Sequence, residues 1–215
     1  MSTNNAPQDA PQEAQLVQGT LDEETARAEV YGLLAALYYA PPGASLWEQL
    51  RVAVTEAPSE GGFLEEPWRG VVGAAREFEL AAVTDEYHAL FGGVSKPEVY
   101  LFASHYLAGF LNEKPLAKLR TDLAALGLAR DEALPETEDH IAYLCEVMRY
   151  LIAGDDVVVA NLTRQREFFV DHLQPWVNQL CDAIAQHPGA RFYAALSGFT
   201  RAFISVEMQG FDMLA

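Results

Sequence analysis

Cysteine and positive charge are scarce in this chain, and so are the Val, Ile and Thr runs bounded by turns that mark strands. Two cysteines in 215 residues, Cys145 and Cys181, make no disulfide framework. Neither has a second cysteine at metal-ligand spacing, and both lie in apolar helical patterns, which fits buried thiols in a reducing cytoplasm. Fourteen Lys and Arg against 31 Asp and Glu leave a formal charge of −17, which repels phosphate backbones and argues against a nucleic-acid partner. The same charge suits a cationic ligand or peptide, and it also serves solubility. No stretch reaches the roughly eighteen apolar residues of a membrane span. The N-terminus MSTNNAPQDAPQEAQ has neither a basic n-region nor an apolar h-region, so the expectation is a cytoplasmic protein without stable membrane insertion. Phosphate-loop, dinucleotide-binding and nucleophile-elbow motifs are missing as well, which removes the usual marks of an enzyme.

What is present points to helices. Half of the residues are hydrophobic, with Ala and Leu abundant. The expectation is an all-α, single-domain bundle of about nine to eleven helices over 21–215, preceded by a disordered tail at 1–20. Thr20 would cap a first helix from Leu21 to Tyr39, stopped by Pro41-Pro42-Gly43. Ser45 would cap a second, and Glu65 to Ala82 would form a third. A short helix over 84–91 and one from Glu98 to Leu111 should follow, then helices over 114–128, about 140–152, 155–174, 175–186 and 189–209. The last carries Phe192, Leu196, Phe199, Phe203 and Val206 at steps of four and three, a core-facing stripe.

The richest stretch is PETEDHIAYLCEVMRYLI, Pro135 to Ile152, where a carboxylate and an imidazole, Asp139 and His140, are neighbours at a helix start. On a helical wheel Ile141, Leu144, Cys145, Met148, Leu151 and Ile152 form the buried face. Asp139 then points outward with Tyr143, Glu146 and Tyr150, and His140 lies at the edge. Two readings stay open: a polar and aromatic rim that holds a peptide, or acidic residues that satisfy a helix N-terminus. A di-iron site would need paired Glu-x-x-His elements, and the nearest approach is a single Asp85-x-x-His88, so no metal, cofactor or catalytic residue is expected.

Several segments, taken in order, resemble the TorD/DmsD family of cytoplasmic redox-enzyme maturation chaperones. VTDEYHALFGG resembles a Glu-Tyr-x-x-Leu-Phe element through Glu86, Tyr87, Leu90 and Phe91. HYLAGFL matches an aromatic, Gly, Phe helix at Tyr106, Gly109 and Phe110. PETEDHIAYLCEVM resembles the acidic Asp-His signature through Glu136, Asp139 and His140, although Glu138 stands where the family often has Pro. QREFFVDHLQPWV matches at Phe168, His172, Leu173 and Trp176, and FYAALSGFTRAFISVE resembles the closing helix. The resemblance implies a binding protein rather than an enzyme. Its partner would be the catalytic subunit of a molybdenum or tungsten oxidoreductase, with formate dehydrogenase as the suggested client, held by its twin-arginine leader or N-terminal region until the cofactor is inserted. Asp139, His140 and Glu136 would meet the cationic part of the client, and Tyr87, Tyr106 and Phe110 the apolar part. His172 reads as a packing residue. A guanine-nucleotide-gated factor and a purely structural helical subunit are the alternatives, and the protein would be a monomer or homodimer.

Overall fold

Helix formers fill the long segments, and ten helices form among the described residues, which are 12–55, 62–92, 96–111, 114–131 and 135–213 of a computed structural model, with 12–22 described by backbone alone. They are α1 (Gln12–Tyr39), α2 (Ala44–Val52), α3 (Glu65–Glu77), α4 (Leu80–Phe91) and α5 (Ala103–Ala108), followed by α6 (Lys114–Ala125), α7 (Ile141–Ala153), α8 (Leu162–His172), α9 (Val177–Gln186) and α10 (Phe192–Asp212). No strand accompanies them among these residues, only an isolated antiparallel bridge between Phe102 and His140. The fold is an all-α bundle. α1 lies along α7, α10 packs on α9 and α3, α2 on α3, α5 on α6 and α7 on α8.

Several boundaries differ from expectation for local reasons. α1 begins at Gln12 rather than Leu21, because Gln, Glu, Ala and Leu directly after Pro11 all favour a helix. The tail expected at 1–20 lies, for residues 1–11, outside the described residues. Ser45 sits inside α2, whose N-cap is Gly43 with no side-chain cap bond. The expected third helix breaks at Phe78 and Glu79, both extended, so that α4 starts at Leu80. The largest change is at α5, which spans only Ala103–Ala108. Residues 99–102 spend their backbone groups elsewhere: Val99 N–H donates to Leu90 C=O at 2.9 Å and Leu101 C=O accepts from Ile141 N–H at 2.9 Å. Gly109, at φ 78, turns the chain out of α5 in a conformation side chains disfavour.

The core joins all these helices. Phe192, Leu196, Phe199 and Phe203 are buried, and α7 buries the whole face read from its wheel. One buried polar network crosses it. Arg27 of α1 forks onto Glu207 of α10, with Nε to Oε1 at 2.7 Å and Nη2 to Oε2 at 2.9 Å. Tyr31 Oη–H adds a bond to Glu207 Oε2 at 3.0 Å, and Arg27 Nη1 reaches Gln165 Oε1 at 3.2 Å. Gln165 Nε2 donates in turn to Leu151 C=O at 3.1 Å, so one chain of bonds ties α1, α10, α8 and the end of α7.

Candidate functional site

The turn at Pro135 to His140 runs beside the start of α5, and its bonds go there. Asp139 Oδ2 accepts from Ser104 N–H at 2.9 Å, Oδ1 accepts from the Thr137 hydroxyl at 2.6 Å, and the Asp139 C=O accepts from Ala103 N–H at 3.0 Å. Asp139 is only 1% exposed. The wheel failed because α7 begins at Ile141, so Asp139 is not on that helix. Instead of pointing outward, its carboxylate satisfies the free Ser104 amide and its carbonyl the Ala103 amide at the start of α5. His140 is buried too, not at an edge. It is the N-cap of α7, with Nδ1 accepting from Ala142 N–H at 3.2 Å, which leaves the neutral ring's proton on Nε2. Phe102, Tyr143 and Tyr39 surround the ring at 5.0, 5.7 and 6.4 Å between centroids. Burial pulls its pKa down to about 4, with the Asp139 charge opposing. Glu138 takes Arg120 bidentately at 3.0 and 2.9 Å.

The depressed His140 pKa has a pH consequence. The unfolded chain binds the proton near pH 6.5 and the folded protein only near pH 4. His140 therefore contributes stability fully above about pH 6.5, and loses it as the pH falls toward 4. Between pH 6.5 and 5 the expected loss is about 2 kcal/mol. Urea unfolding across this range checks it. His140→Asn, which keeps a capping side chain, should flatten the slope, and an unchanged slope in that variant would sink the assignment.

The expected apolar wall is divided. Tyr87 is half-buried and donates to the Tyr39 and Tyr38 carbonyls at 2.7 and 3.2 Å, closing the C-terminus of α1. Burial first, and then the nearby Glu136 carboxylate, push its hydroxyl up to about 12. Beside it, Glu86 accepts from the Arg191, Phe192 and Tyr193 amides at 2.8, 3.1 and 2.9 Å, supplying the cap that α10 lacks from its own sequence. Tyr106 stacks on Trp176 at 5.5 Å and donates to Tyr100 C=O at 2.8 Å. Phe110 stands apart, 73% exposed beyond the end of α5. Of the six residues read from the sequence, then, Glu136, Asp139 and His140 share one turn, Tyr87 closes the end of α1 within the field of the Glu136 charge, Tyr106 lies on the helix that Asp139 caps, and Phe110 joins none of them.

The chain does form a cleft, of about 280 Å³, next to that turn. Asp139 and Leu144 line it with Ala103 and Leu107 of α5, Pro115, Lys118 and Leu119 of α6, and Asp171, His172 and Pro175 at the end of α8. Lys118 Nζ donates to Asp122 Oδ2 at 2.6 Å and to Asp171 Oδ2 at 2.8 Å, and His172 Nε2 meets the same Asp122 oxygen at 2.8 Å. Burial lowers the His172 pKa against the pull of Asp122, so the ring is neutral at physiological pH and donates Nε2–H. Burial works against the Asp122 carboxylate, but the Lys118 and His172 bonds outweigh it and hold its pKa below the usual value. Two carboxylates, Asp122 and Asp171, thus share one ammonium beside apolar walls. Sequence reasoning missed Lys118, Asp171 and His172 as cleft residues. Asp171–His172 is a second acid–imidazole neighbour pair, and it was the available signal.

A larger apolar groove of about 490 Å³ lies elsewhere, between Val30 and Leu33 of α1, Trp68 of α3 and Phe199 of α10. Its lining carboxylates are Glu29 and Glu65, and Glu65 is engaged by Arg69 at 2.7 Å. The smaller cleft carries more of the chemistry, because HYLAGFL, PETEDHIAYLCEVM and QREFFVDHLQPWV each contribute residues to it. Neither thiol adds reactivity: burial drives Cys145 far up and Cys181 up to about 12, so both stay protonated.

An all-helical bundle with this cleft fits a binding protein, and comparison gives the class. The family described as nitrate reductase delta subunit matches residues 58–182, more than half of the chain, and the chain belongs to that family. Among curated proteins it is similar to one named chaperone protein TorD from Vibrio cholerae serotype O1, 28% identical over 145 residues. A chaperone protein TorD from Vibrio parahaemolyticus is 25% identical over 142 residues. The match covers 64% of this chain and 64% of the first relative, and 62% of this chain and 61% of the second.

Proposed function

We propose that the protein is a cytoplasmic maturation chaperone, not an enzyme, for the catalytic subunit of a molybdenum or tungsten oxidoreductase. It binds the twin-arginine leader or N-terminal region of that subunit and holds it until the cofactor is in place, before export or assembly. A formate dehydrogenase is the suggested client, and the chaperone works as a monomer or homodimer. One observation carries the reading: three segments that resemble maturation chaperones, far apart in sequence, meet at one cleft with apolar walls and an excess of carboxylates. A leader with an arginine pair before an apolar run matches both features. The named relatives agree in kind, since both are called chaperones. No helix among the described residues is long and apolar enough to cross a membrane, which suits a protein that meets its client before insertion.

Co-expression with candidate molybdoenzyme subunits, with and without their leaders, tests the proposal. The expected result is co-purification of one such subunit, weakened by removal of the leader and by a rise in salt over tens to hundreds of millimolar. Retention of no such subunit would count against it.

A further inference from the structure

The groove of about 490 Å³ shares no helix with the cleft: α1, α3 and α10 build it, whereas α5, α6, α7 and α8 build the cleft. Inside it Trp68 and Phe199 pack at 5.5 Å between ring centroids, and α1 presents Ala26, Val30 and Leu33 on one stripe at steps of four and three. The opposite wall is pinned. Trp68 Nε1–H donates to the Val54 C=O at 2.9 Å, and Arg76 donates to the Arg51 and Ala53 carbonyls, both at 2.9 Å. These bonds occupy carbonyls at the C-terminal end of α2 and fix the segment that carries Val54, whose side chain is nevertheless 76% exposed. Phe63, between the lining residues Gly62 and Leu64, is 80% exposed. Large apolar side chains presented to water by a fixed backbone mark an interaction surface. Of the two lining carboxylates, Glu65 is taken by Arg69, while Glu29 is exposed and has no partner among the described residues.

We propose that this groove docks an amphipathic helix from the mature part of the client, with its apolar face on Val30, Leu33 and Trp68 and a Lys or Arg against Glu29. The inference rests on the reading that the protein is a maturation chaperone for such a subunit. A subunit held before its cofactor is in place has helices whose apolar faces its own core does not yet cover. The stripe on α1 offers ridges at the spacing another helix fills. Glu29 and the formal charge of −17 call for a basic occupant, and they disfavour a second copy of the chain, which would bring like charges together. The leader is not the occupant, because its arginine pair directly precedes its apolar run and both are received at the cleft.

Two measurements on the full chain test this. Two tryptophan-free synthetic helices share one leucine face and differ only in a Lys or Glu beside it. Trp47 and Trp176 are buried, so a blue shift of tryptophan emission on binding reports Trp68. The wild type should prefer the lysine peptide by about fivefold, and Glu29→Lys should lose that preference. In the second measurement the client subunit without its leader is co-expressed with the chaperone. The wild type should retain it, and Val54→Ser should retain about fivefold less, with the thermal transition unmoved because the altered side chain is exposed. An unchanged peptide preference in Glu29→Lys, or leaderless subunit held equally by wild type and Val54→Ser, overturns the proposal while the leader-bearing subunit still co-purifies. Retention of no subunit in any form removes the chaperone reading and this inference with it.

Discussion

Glu207→Ala is expected to lower the free energy of unfolding by about 3 kcal/mol, the largest effect of any single substitution considered for this protein. Glu207 is 4% exposed and accepts three bonds, two from the Arg27 guanidinium and one from the Tyr31 hydroxyl. Its loss strands a largely buried cation and leaves the Tyr31 hydroxyl, fully enclosed, without that acceptor. Arg27 keeps some water, with 18% of its side chain exposed, which puts the cost near the lower end for a broken buried pair. Removing both charges together, as Arg27→Met with Glu207→Leu, should recover much of the loss because no charge is then stranded. Urea denaturation of the three proteins measures this. A double variant as unstable as Glu207→Ala would show that packing, not charge, dominates at this point.

Asp139→Ala should cost about 2 kcal/mol and lower Tm by roughly 4–8 °C. The reason is specific: the Ser104 amide, in a residue that is fully buried, loses the carboxylate that caps α5, and the Thr137 hydroxyl loses its acceptor. Asp139→Asn keeps one carbonyl acceptor and should fall between. Because α5 carries Ala103 and Leu107 into the cleft, client retention should drop in the alanine variant even at temperatures where it is folded. Retention is measured in the same pull-down. A thermal transition that does not move would return Asp139 to the outward, rim-facing role that its place in the sequence suggested.

The contrast between those two pictures of Asp139 shows what the sequence could carry. Periodic apolar stripes were legible, because α10 and α7 each bury a face set by their own turn geometry. The all-helical class followed from them. Partnerships between distant polar residues were not legible. Glu86 meets amides more than a hundred positions away, and only the absence of a capping side chain before Phe192 hinted that α10 needed one. Asp139 was misplaced because a wheel drawn from α7 was carried back past its first residue. α5 was overextended because its apolar pattern could not reveal that residues 99–102 give their backbone bonds to α4 and to the Asp139 turn. The cleft was half legible: its Asp-His corner stood out, while nothing in the sequence placed Lys118 beside Asp171, because α6 and α8 meet only in the fold.

The Arg27–Glu207 fork joins residues 180 positions apart, and Glu86 ties the middle of the chain to Arg191 across 105. During synthesis these partners are far apart in time as well. α1 emerges early with a guanidinium whose carboxylate partner follows only with α10, and closing so long a loop is entropically slow. A chain that stops short of α10 keeps Tyr31, Tyr38 and the Arg27 charge uncovered, and is left open to proteases. The same bond therefore marks completion: only a chain that includes α10 can finish this core.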